Sequence, residues 1–302
     1  MASDETLILR LRLGNNTIVI GGASSPYRLL ASGLSGTEAA EAVTETTEQA
    51  QPDGALLLSR RLSGRDLTLQ FEIADYDNRE YYRRALLSFF DPGADGVLTV
   101  IRRDADGRQV VRSCGCMLSG RLCVTQETLD SYVRVRVPLF CPDPYFYSDT
   151  VQTNAARSVT PLLTFPLTLK EDEEGGAVGG LIRFEDTVVI ENTGDAPTGF
   201  LLSMRAVDSA GNAGMVNPII TREEDGAYIR ILTALAEDDV LTVSTVPGAK
   251  YVLKNGENCL HFDRGSTFFP LLRGTNTLHI SADIAPEPPD TVISFRCRYF
   301  GA

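Results

Sequence analysis

The chain begins with a strict alternation of large apolar side chains and other residues. Leucine occupies every second position from Leu7 to Leu13, which places four leucines on one face of an extended strand. The same period of two recurs between Leu67 and Ile73, where apolar side chains alternate with Thr, Gln and Glu. Both segments are therefore predicted to be β-strands with one buried face.

The period changes to that of a helix between Asp77 and Phe90. Asp75 or Asp77 can cap the N-terminal end of this helix, and the Asp91-Pro92-Gly93 sequence stops it. The residues predicted to pack the helix against the core are Tyr82, Ala85, Leu86, Phe89 and Phe90.

Short apolar runs between turn signals predict the remaining strands of the first half. They are Thr17–Ile20, Tyr27–Leu30, Leu56–Leu62, Val97–Arg103, Gln109–Cys116, Leu118–Thr125 and Tyr132–Phe140. Between Ser35 and Asp53 the sequence is poor in large apolar residues and rich in Glu, Thr, Ala and Gln. We expect an exposed loop there, with at most a frayed helical turn over Glu38–Val43.

The second half has the pattern of an all-β domain. Nine short runs of β-forming residues follow one another at roughly ten-residue spacing, which is typical of a β-sandwich or jelly roll. They are Asp186–Asn192, Thr198–Val207, Asn217–Thr221, Ala227–Leu232, Val240–Thr245, Ala249–Leu253, Thr267–Leu272, Thr277–Ile284 and Val292–Tyr299. The charged, glycine-rich stretch Glu171–Gly176 is expected to be a solvated loop. We place the domain boundary near residue 148, which gives domains 1–147 and 148–302.

A distinctive segment of mixed proline and aromatic residues ends the first domain. Its two prolines fix the backbone and end the preceding strand. Its three consecutive aromatic residues need a surface to bury against. We predict a rigid elbow between the domains, either packed by its own rings or presenting a contact to another subunit. The elbow consists of Cys141, Pro142, Asp143, Pro144, Tyr145, Phe146 and Tyr147.

Composition and charge exclude several classes of protein. The apolar fraction of 43% is too high for a disordered chain, and no apolar run approaches the roughly 20 residues that span a bilayer. The first five residues are acidic, unlike the basic start of a secretory signal peptide. A net charge of −12 argues against a sequence-specific nucleic-acid reader and against binding to anionic membranes.

A search for chemistry finds little. Six cysteines and two histidines are present, and the cluster Cys114, Cys116 and Cys123 does not have the spacing of a zinc site. Nucleotide-binding, zinc-protease and serine-hydrolase motifs are absent from the sequence. Paired carboxylates from distant positions could still form a glycosidase site. We therefore expect no catalytic, cofactor or metal site and no enzyme activity.

Several sequence features in order resemble the distal tail proteins of long-tailed siphophages, a phage tail protein family. They include Tyr81-Tyr82-Arg83-Arg84 on the helix, Phe90-Asp91-Pro92 at its end and the elbow segment. In the second half they include Asn192-Thr193-Gly194, the turn Arg273–Asn276 and Arg296–Tyr299. The features extend over essentially the whole chain.

The resemblance implies a mainly β protein. Its N-terminal domain would be a β-barrel-like unit with one α-helix, and its C-terminal domain a galectin-like β-sandwich. Six copies would form a ring that joins the tail tube protein to the tail-tip protein or host-adhesion apparatus, with receptor-binding proteins as further partners. The protein would be a structural component of the virion tail tip, assembled in the host bacterial cytoplasm.

Two alternatives stay open at this point. A galectin-like sandwich could act as a carbohydrate-binding module at the host cell surface, which requires polar and aromatic residues to converge on one sheet face. A hydrolase of cell-wall glycans or peptidoglycan would require two carboxylates in one cleft. The absence of tryptophan argues against both, since sugar sites often stack on aromatic rings.

Overall fold

The structure is a computed structural model in which the protein divides into two compact units. It describes residues 6–48, 54–104, 106–126, 132–155, 157–160, 181–184, 187–206, 215–284 and 289–302. Unit 1 comprises Met1–Asp149 together with Arg298–Ala302, and unit 2 comprises Thr150–Cys297. The domain division predicted from the sequence assigned the last five residues to the second domain, whereas the structure groups them with unit 1. The expected loop Glu171–Gly176 lies outside the described residues.

Unit 1 is built mainly from antiparallel strands. Its elements are β1 (Thr6–Leu13), β2 (Asn16–Ile20), β3 (Tyr27–Ser35), β4 (Ala42–Glu48), β5 (Ala55–Leu62), β6 (Arg65–Ile73), α1 (Arg79–Phe89), β7 (Gly96–Arg103), β8 (Gln109–Leu118), β9 (Cys123–Thr125), β10 (Val133–Cys141), β11 (Phe146–Ser148) and β24 (Arg298–Tyr299). Seven strands follow the order β2-β1-β7-β8-β10-β6-β3. The Gly21 N–H donates to the Tyr27 carbonyl at 2.8 Å and links the two end strands, so the path is barrel-like.

The alternating patterns of the sequence build the core of unit 1. Leu9 and Leu11 on β1 are fully buried, as are Leu69 and Phe71 on β6. β10 pairs with β6 along its whole length, with Val137 opposite Leu69. Because side chains alternate across a strand, the Arg and Thr residues between these positions face outward. The mainly β fold class is confirmed.

Helix α1 covers one side of this core. Asp75 accepts hydrogen bonds from the backbone and side-chain N–H groups of Asn78, at 3.0 and 3.1 Å, which fixes the turn before the helix. At the other end, the Phe90 N–H bonds to the Leu86 carbonyl. The Asp91 carboxylate then accepts the Gly93 N–H at 2.9 Å, which stops the helix.

The predicted exposed loop over Ser35–Asp53 is wrong for Ala42–Glu48, which form a strand, and no helical turn forms over Glu38–Val43, whereas residues 36–41 are irregular. Strand β3 extends to Ser35, and β4 pairs with β5 as a separate two-stranded hairpin, with Thr44 opposite Arg60. β4 is rich in Thr and Glu and buries almost nothing, so no apolar pattern marks it. Cross-strand pairing with β5, and not core burial, defines it as a strand.

Unit 2 contains two main antiparallel sheets. Its strands are β12 (Gln152–Ala155), β13 (Arg157–Thr160), β14 (Leu181–Phe184), β15 (Thr187–Asn192), β16 (Phe200–Arg205), β17 (Val216–Arg222), β18 (Tyr228–Arg230), β19 (Val240–Ser244), β20 (Tyr251–Lys254), β21 (Glu257–Asn258), β22 (Gly274–Ile284) and β23 (Asp290–Phe295). One sheet has the order β12-β23-β16-β19-β20-β21 and the other β15-β22-β17-β18, while β13 and β14 pair separately.

Both sheets of unit 2 bury every second residue. Phe200 and Leu202 on β16 and Ile220 on β17 are fully buried, and the Phe200 ring lies 5.7 Å from that of Phe269. This alternation is that of a β-sandwich. The strand predicted over Thr267–Leu272 is not formed: Leu271 makes an isolated bridge to Thr198, and the rest of that segment is irregular.

Candidate functional site

The predicted elbow residues lie together in unit 1 and pack around one buried arginine. Arg65 is only 4% exposed. Its guanidinium donates to the Pro144 carbonyl at 2.8 and 3.1 Å, to the Gly36 carbonyl at 2.8 Å, and to the Phe300 carbonyl at 2.6 Å. It also donates to the carbonyl of Glu38. One cation therefore joins three separate segments of unit 1.

A second arginine ties the end of the chain to the elbow. Arg298 lies 3.8 Å from the ring centroid of Tyr145 and bonds to Asp143 at 3.4 Å. The Tyr147 hydroxyl donates to the same carboxylate at 2.5 Å. Burial, assisted by this hydrogen bond, raises the pKa of Tyr147 to about 12, so its hydroxyl keeps its proton at neutral pH.

The remaining elbow residues are part of the core of unit 1. Cys141 and Phe146 are completely buried, and the Arg65 guanidinium lies 4.8 Å from the Phe146 ring centroid. Backbone pairing of Phe146 with Tyr299 joins β11 to β24. The segment, with Pro142 at its start, is thus fixed by its own rings and by two arginines. Its role as an elbow between domains stays a prediction.

Of the predicted helix-packing residues, Tyr82, Leu86, Phe89 and Phe90 face the core along α1 and at its C-terminal end, whereas Ala85 is exposed. Leu86 is 1% exposed, and Phe89 and Phe90 are also buried. Tyr82 is partly buried, with its ring centroid 5.9 Å from that of Tyr27. The outer side carries exposed charged residues, where Glu80 meets Arg83 and Arg84 at 3.4 Å; exposed pairs of this kind contribute little stability.

The β4–β5 hairpin, which we call the arm, is the most exposed apolar element of unit 1. Its consecutive leucines Leu56, Leu57 and Leu58 are 49%, 55% and 61% exposed. Among the described strands, β4 and β5 pair only with each other. An isolated two-stranded hairpin is marginally stable in water, so the arm has the properties of an element that is completed by a neighbouring molecule.

The buried thiols have the character of core residues. The sulfur atoms of Cys114 and Cys141 lie 3.7 Å apart, and none of the six cysteines forms a disulfide. The hydrogen bond with Cys141, together with burial, raises the pKa of Cys114, and burial raises that of Cys116 to about 12. Such thiols are poor nucleophiles and poor metal ligands, since both functions need the thiolate.

The part of the chain that the structure describes was also examined for metal sites and for membrane-spanning helices. No group of three or more His, Cys, Asp or Glu side chains is arranged to hold a metal ion. No helix there is long and apolar enough to cross a membrane.

Comparison with known proteins gives the family of unit 2. Residues 193–299 match the family model for the siphovirus-type tail component, C-terminal domain. Unit 2 contains a siphovirus-type tail component domain. The resemblance to phage tail proteins inferred from the sequence is thereby confirmed. No curated protein sequence matches the chain.

Structural similarity extends beyond the residues matched by the family model. The SPP1 Dit protein, described as a paradigm of the hub adsorption apparatus in phages that infect Gram-positive bacteria, aligns with a TM-score of 0.61 at 11% identity. The alignment covers 96% of this chain and 98% of that one. Chains of the phage P2 baseplate in its activated conformation, with calcium and with strontium, align with TM-scores of 0.45 and 0.43 at 10% identity. They cover 99% and 96% of this chain and 99% and 97% of theirs.

Sequence reasoning did not find the arginines or the arm. Arg65 lies two positions before Leu67 on β6, so the alternation of that strand places it on the buried face. This alternation is the sequence signal that could have identified Arg65 as a buried residue. Arg298 lies within the Arg296–Tyr299 segment that the resemblance singled out, but its contact with the elbow could not be foreseen because Asp143 lies more than 150 residues away. The arm was missed because the preceding segment was interpreted as a loop.

Proposed function

We propose that this tail component forms a ring at the siphophage tail tip and joins the tail tube to the tip or host-adhesion apparatus. The observation that carries the proposal is the match of residues 193–299 to the siphovirus-type tail component model. The SPP1 Dit protein, which shares the fold over nearly the whole chain, belongs to a hub adsorption apparatus. By extension, this chain acts as a hub, without catalytic turnover.

The partners follow from this role. A hub binds the tail tube protein on one face of the ring and the tail-tip protein on the other, and unit 2 offers the attachment surface for receptor-binding proteins. The site of action is the tail tip of the virion, after assembly in the host bacterial cytoplasm. The ring consists of six copies, as the resemblance to distal tail proteins implies.

The arm supports ring formation in physical terms. A ring of identical copies needs a head-to-tail interface, in which one surface of a subunit meets a different surface of the next. The arm, with its three exposed leucines, can provide one of these surfaces. Burying the exposed half of each leucine against a neighbour contributes about 1 kcal/mol per side chain, which adds to the rest of the interface.

The experiment is native mass spectrometry combined with light scattering on the full-length protein at several concentrations. We expect the wild type to give a hexamer. Replacing Leu56, Leu57 and Leu58 by Ser is expected to shift the population to monomers without lowering the melting temperature of the monomer. The melting temperature is retained because these leucines are about half exposed within one subunit, and the hexamer is lost because their apolar contact with the neighbouring subunit is removed.

A matched control replaces exposed apolar residues of unit 2. Val189 and Leu260 are 60% and 66% exposed, and changing both to Ser is expected to leave the hexamer intact. A wild type that stays monomeric at high concentration, alone and with its tail neighbours, contradicts the ring. If the arm variant still forms a hexamer, the ring proposal stands, but the arm is not part of the interface between subunits.

One observation favours carbohydrate binding as a second candidate function. On the four-stranded sheet of unit 2, the register brings Thr187, His279, Thr221 and Tyr228 into one row across all four strands. These positions alternate with buried residues, so the row faces outward. Binding of the wild type to a glycan array that is lost in the Tyr228→Ala variant would support this function. Absence of binding to every glycan on the array would contradict it.

A further inference from the structure

One end of unit 1 carries an open cavity that the proposed ring does not use. It has a volume of about 440 Å³ and lies where β1 begins and where β7 and β8 meet. It is lined by Thr6, Leu7, Arg102, Arg103, Asp104, Arg108 and Val110. Three arginines around one cavity are notable in a chain whose net charge is −12.

Strand register places one of these arginines on the inner face of the sheet. Arg102 pairs with Leu7 of β1 on one side and with Val110 of β8 on the other. Paired residues point to the same face, and Leu7 packs against the core of unit 1. Arg102 therefore continues the inner row of the barrel at the point where that row opens to solvent.

The turn that joins β7 to β8 fixes the backbone next to the other two arginines, with Arg103 at the end of β7 and Arg108 just before β8. The carboxylate of Asp104 accepts the N–H groups of Asp106 and Arg108, at 3.1 and 2.8 Å. The Asp104 N–H bonds to the Arg108 carbonyl at 3.0 Å, and Gly107 provides the left-handed conformation that closes the turn. The backbone at the base of the hairpin, on both strands, is thus fixed before any ligand binds.

The three guanidinium groups are available to a ligand. Arg102, Arg103 and Arg108 are exposed. Among the described residues, none of them lies within ion-pair distance of a carboxylate. Unpaired arginines beside an apolar wall are typical of protein interfaces, where guanidinium groups bind carboxylates in a bidentate manner.

We propose that this cavity, the arginine mouth, binds an acidic peptide segment of a partner protein. Carboxylates of the segment pair with Arg102, Arg103 and Arg108, and its apolar side chains contact Leu7 and Val110. The mixed lining favours a peptide, which presents carboxylates and aliphatic side chains side by side, over a phosphate backbone, whose charges are flanked by polar sugars. The proposal does not depend on ring formation.

The test uses fluorescence anisotropy with the full-length protein and a labelled ten-residue peptide of alternating Glu and Leu. We expect micromolar binding that weakens as salt rises, because the attraction is electrostatic. Replacing Arg102, Arg103 and Arg108 by Ser is expected to weaken binding more than tenfold. The matched control replaces the exposed Arg10, Arg12 and Arg121 by Ser, which changes the net charge equally, and it should alter binding less than twofold.

Three outcomes would overturn the proposal. Equal weakening in both triple variants would show that only net charge matters. Tighter binding of a single-stranded oligonucleotide of the same length would assign the arginines to nucleic acid. Absence of peptide binding at low salt, with the unfolding temperature unchanged, would leave the cavity without an acidic ligand.

Discussion

Arg65 shows how a single charged side chain organises unit 1. Its guanidinium donates to four backbone carbonyls from three segments, one of them at the end of the chain. Burial lowers the pKa of Arg65 from its ordinary value, yet an arginine keeps its charge in proteins. The side chain therefore stabilises unit 1 only as long as all these carbonyls stay in place.

Replacing Arg65 by Met is expected to destabilise unit 1 by about 3 kcal/mol, because hydrogen bonds from a charged donor are lost and buried carbonyls are left unpaired. Differential scanning calorimetry should show a lower temperature for one transition only. Arg12→Met serves as the control, since Arg12 is exposed on β1. An unchanged transition in the Arg65 variant would mean that the carbonyls find other donors.

The cysteines give a second prediction at this scale. Cys123 is exposed, whereas the other five cysteines are buried. Raised pKa values keep Cys114 and Cys116 protonated at pH 8. A thiol reagent at pH 8 should therefore modify one cysteine per chain in the folded protein and six in denaturant, as counted by intact mass. Rapid modification of a second cysteine in the folded state would contradict the burial of these thiols.

Among the elements, the hairpin of β19 and β20 depends on one carboxylate. Asp239 accepts the N–H of Ala236 at 2.8 Å, the side-chain amide of Asn255 at 2.7 Å and the Lys254 ammonium at 2.9 Å. These interactions lower the pKa of Asp239 to about 2.

Because the pKa of Asp239 is lower in the folded than in the unfolded chain, its stabilising effect is complete above about pH 4. The effect is lost as the pH falls towards 2. Asp239→Asn should reduce the fall of the unfolding temperature of unit 2 between pH 4 and pH 2. Glu237→Gln, at an exposed position, should leave that fall unchanged. If the unfolding temperature falls by the same amount in both variants, other carboxylates are responsible for the loss of stability at low pH.

The sequence predicts the elements in which buried apolar residues recur at the spacing of a strand or a helix. It misses the elements that are strands only because they pair with a neighbouring strand. β1, β6 and α1 each bury one face, so their apolar spacing marks them. β4 buries no face, and its strand character comes from β5. The candidate sites differ in the same way. The aromatic residues of the elbow are consecutive and can be recognised in the sequence. The residues of the arginine mouth come together only because of the pairing register of β1, β7 and β8.

At the scale of the whole molecule, the chain passes between the two units twice, after Asp149 and after Cys297. Unit 2 is therefore an insertion into unit 1, and unit 1 is complete only when the last residues have been added. The boundary expected near residue 148 therefore corresponds to only one of the two points at which the chain passes between the units. It also makes the last five residues a small part of the sequence with a large structural role.

Ending the chain at Cys297 tests that role. The truncation removes β24, its pairing with β11, the Arg298 guanidinium above the Tyr145 ring and the Phe300 carbonyl that binds Arg65. We expect the transition of unit 1 to move down by more than 5 °C, since a loss of 1 kcal/mol shifts a domain of this size by roughly 3 °C. The transition of unit 2 should stay where it is.

Hydrogen exchange locates the effect. Amides of β11 should exchange faster in the truncated protein, while those of β16 in unit 2 keep their protection, because only β11 loses a pairing partner. The matched control removes Ala302 alone, which breaks one hydrogen bond to Thr37 and should change neither unit. Faster exchange throughout unit 2 would show instead that the end of the chain stabilises the tail component domain itself, and that the two units do not unfold independently.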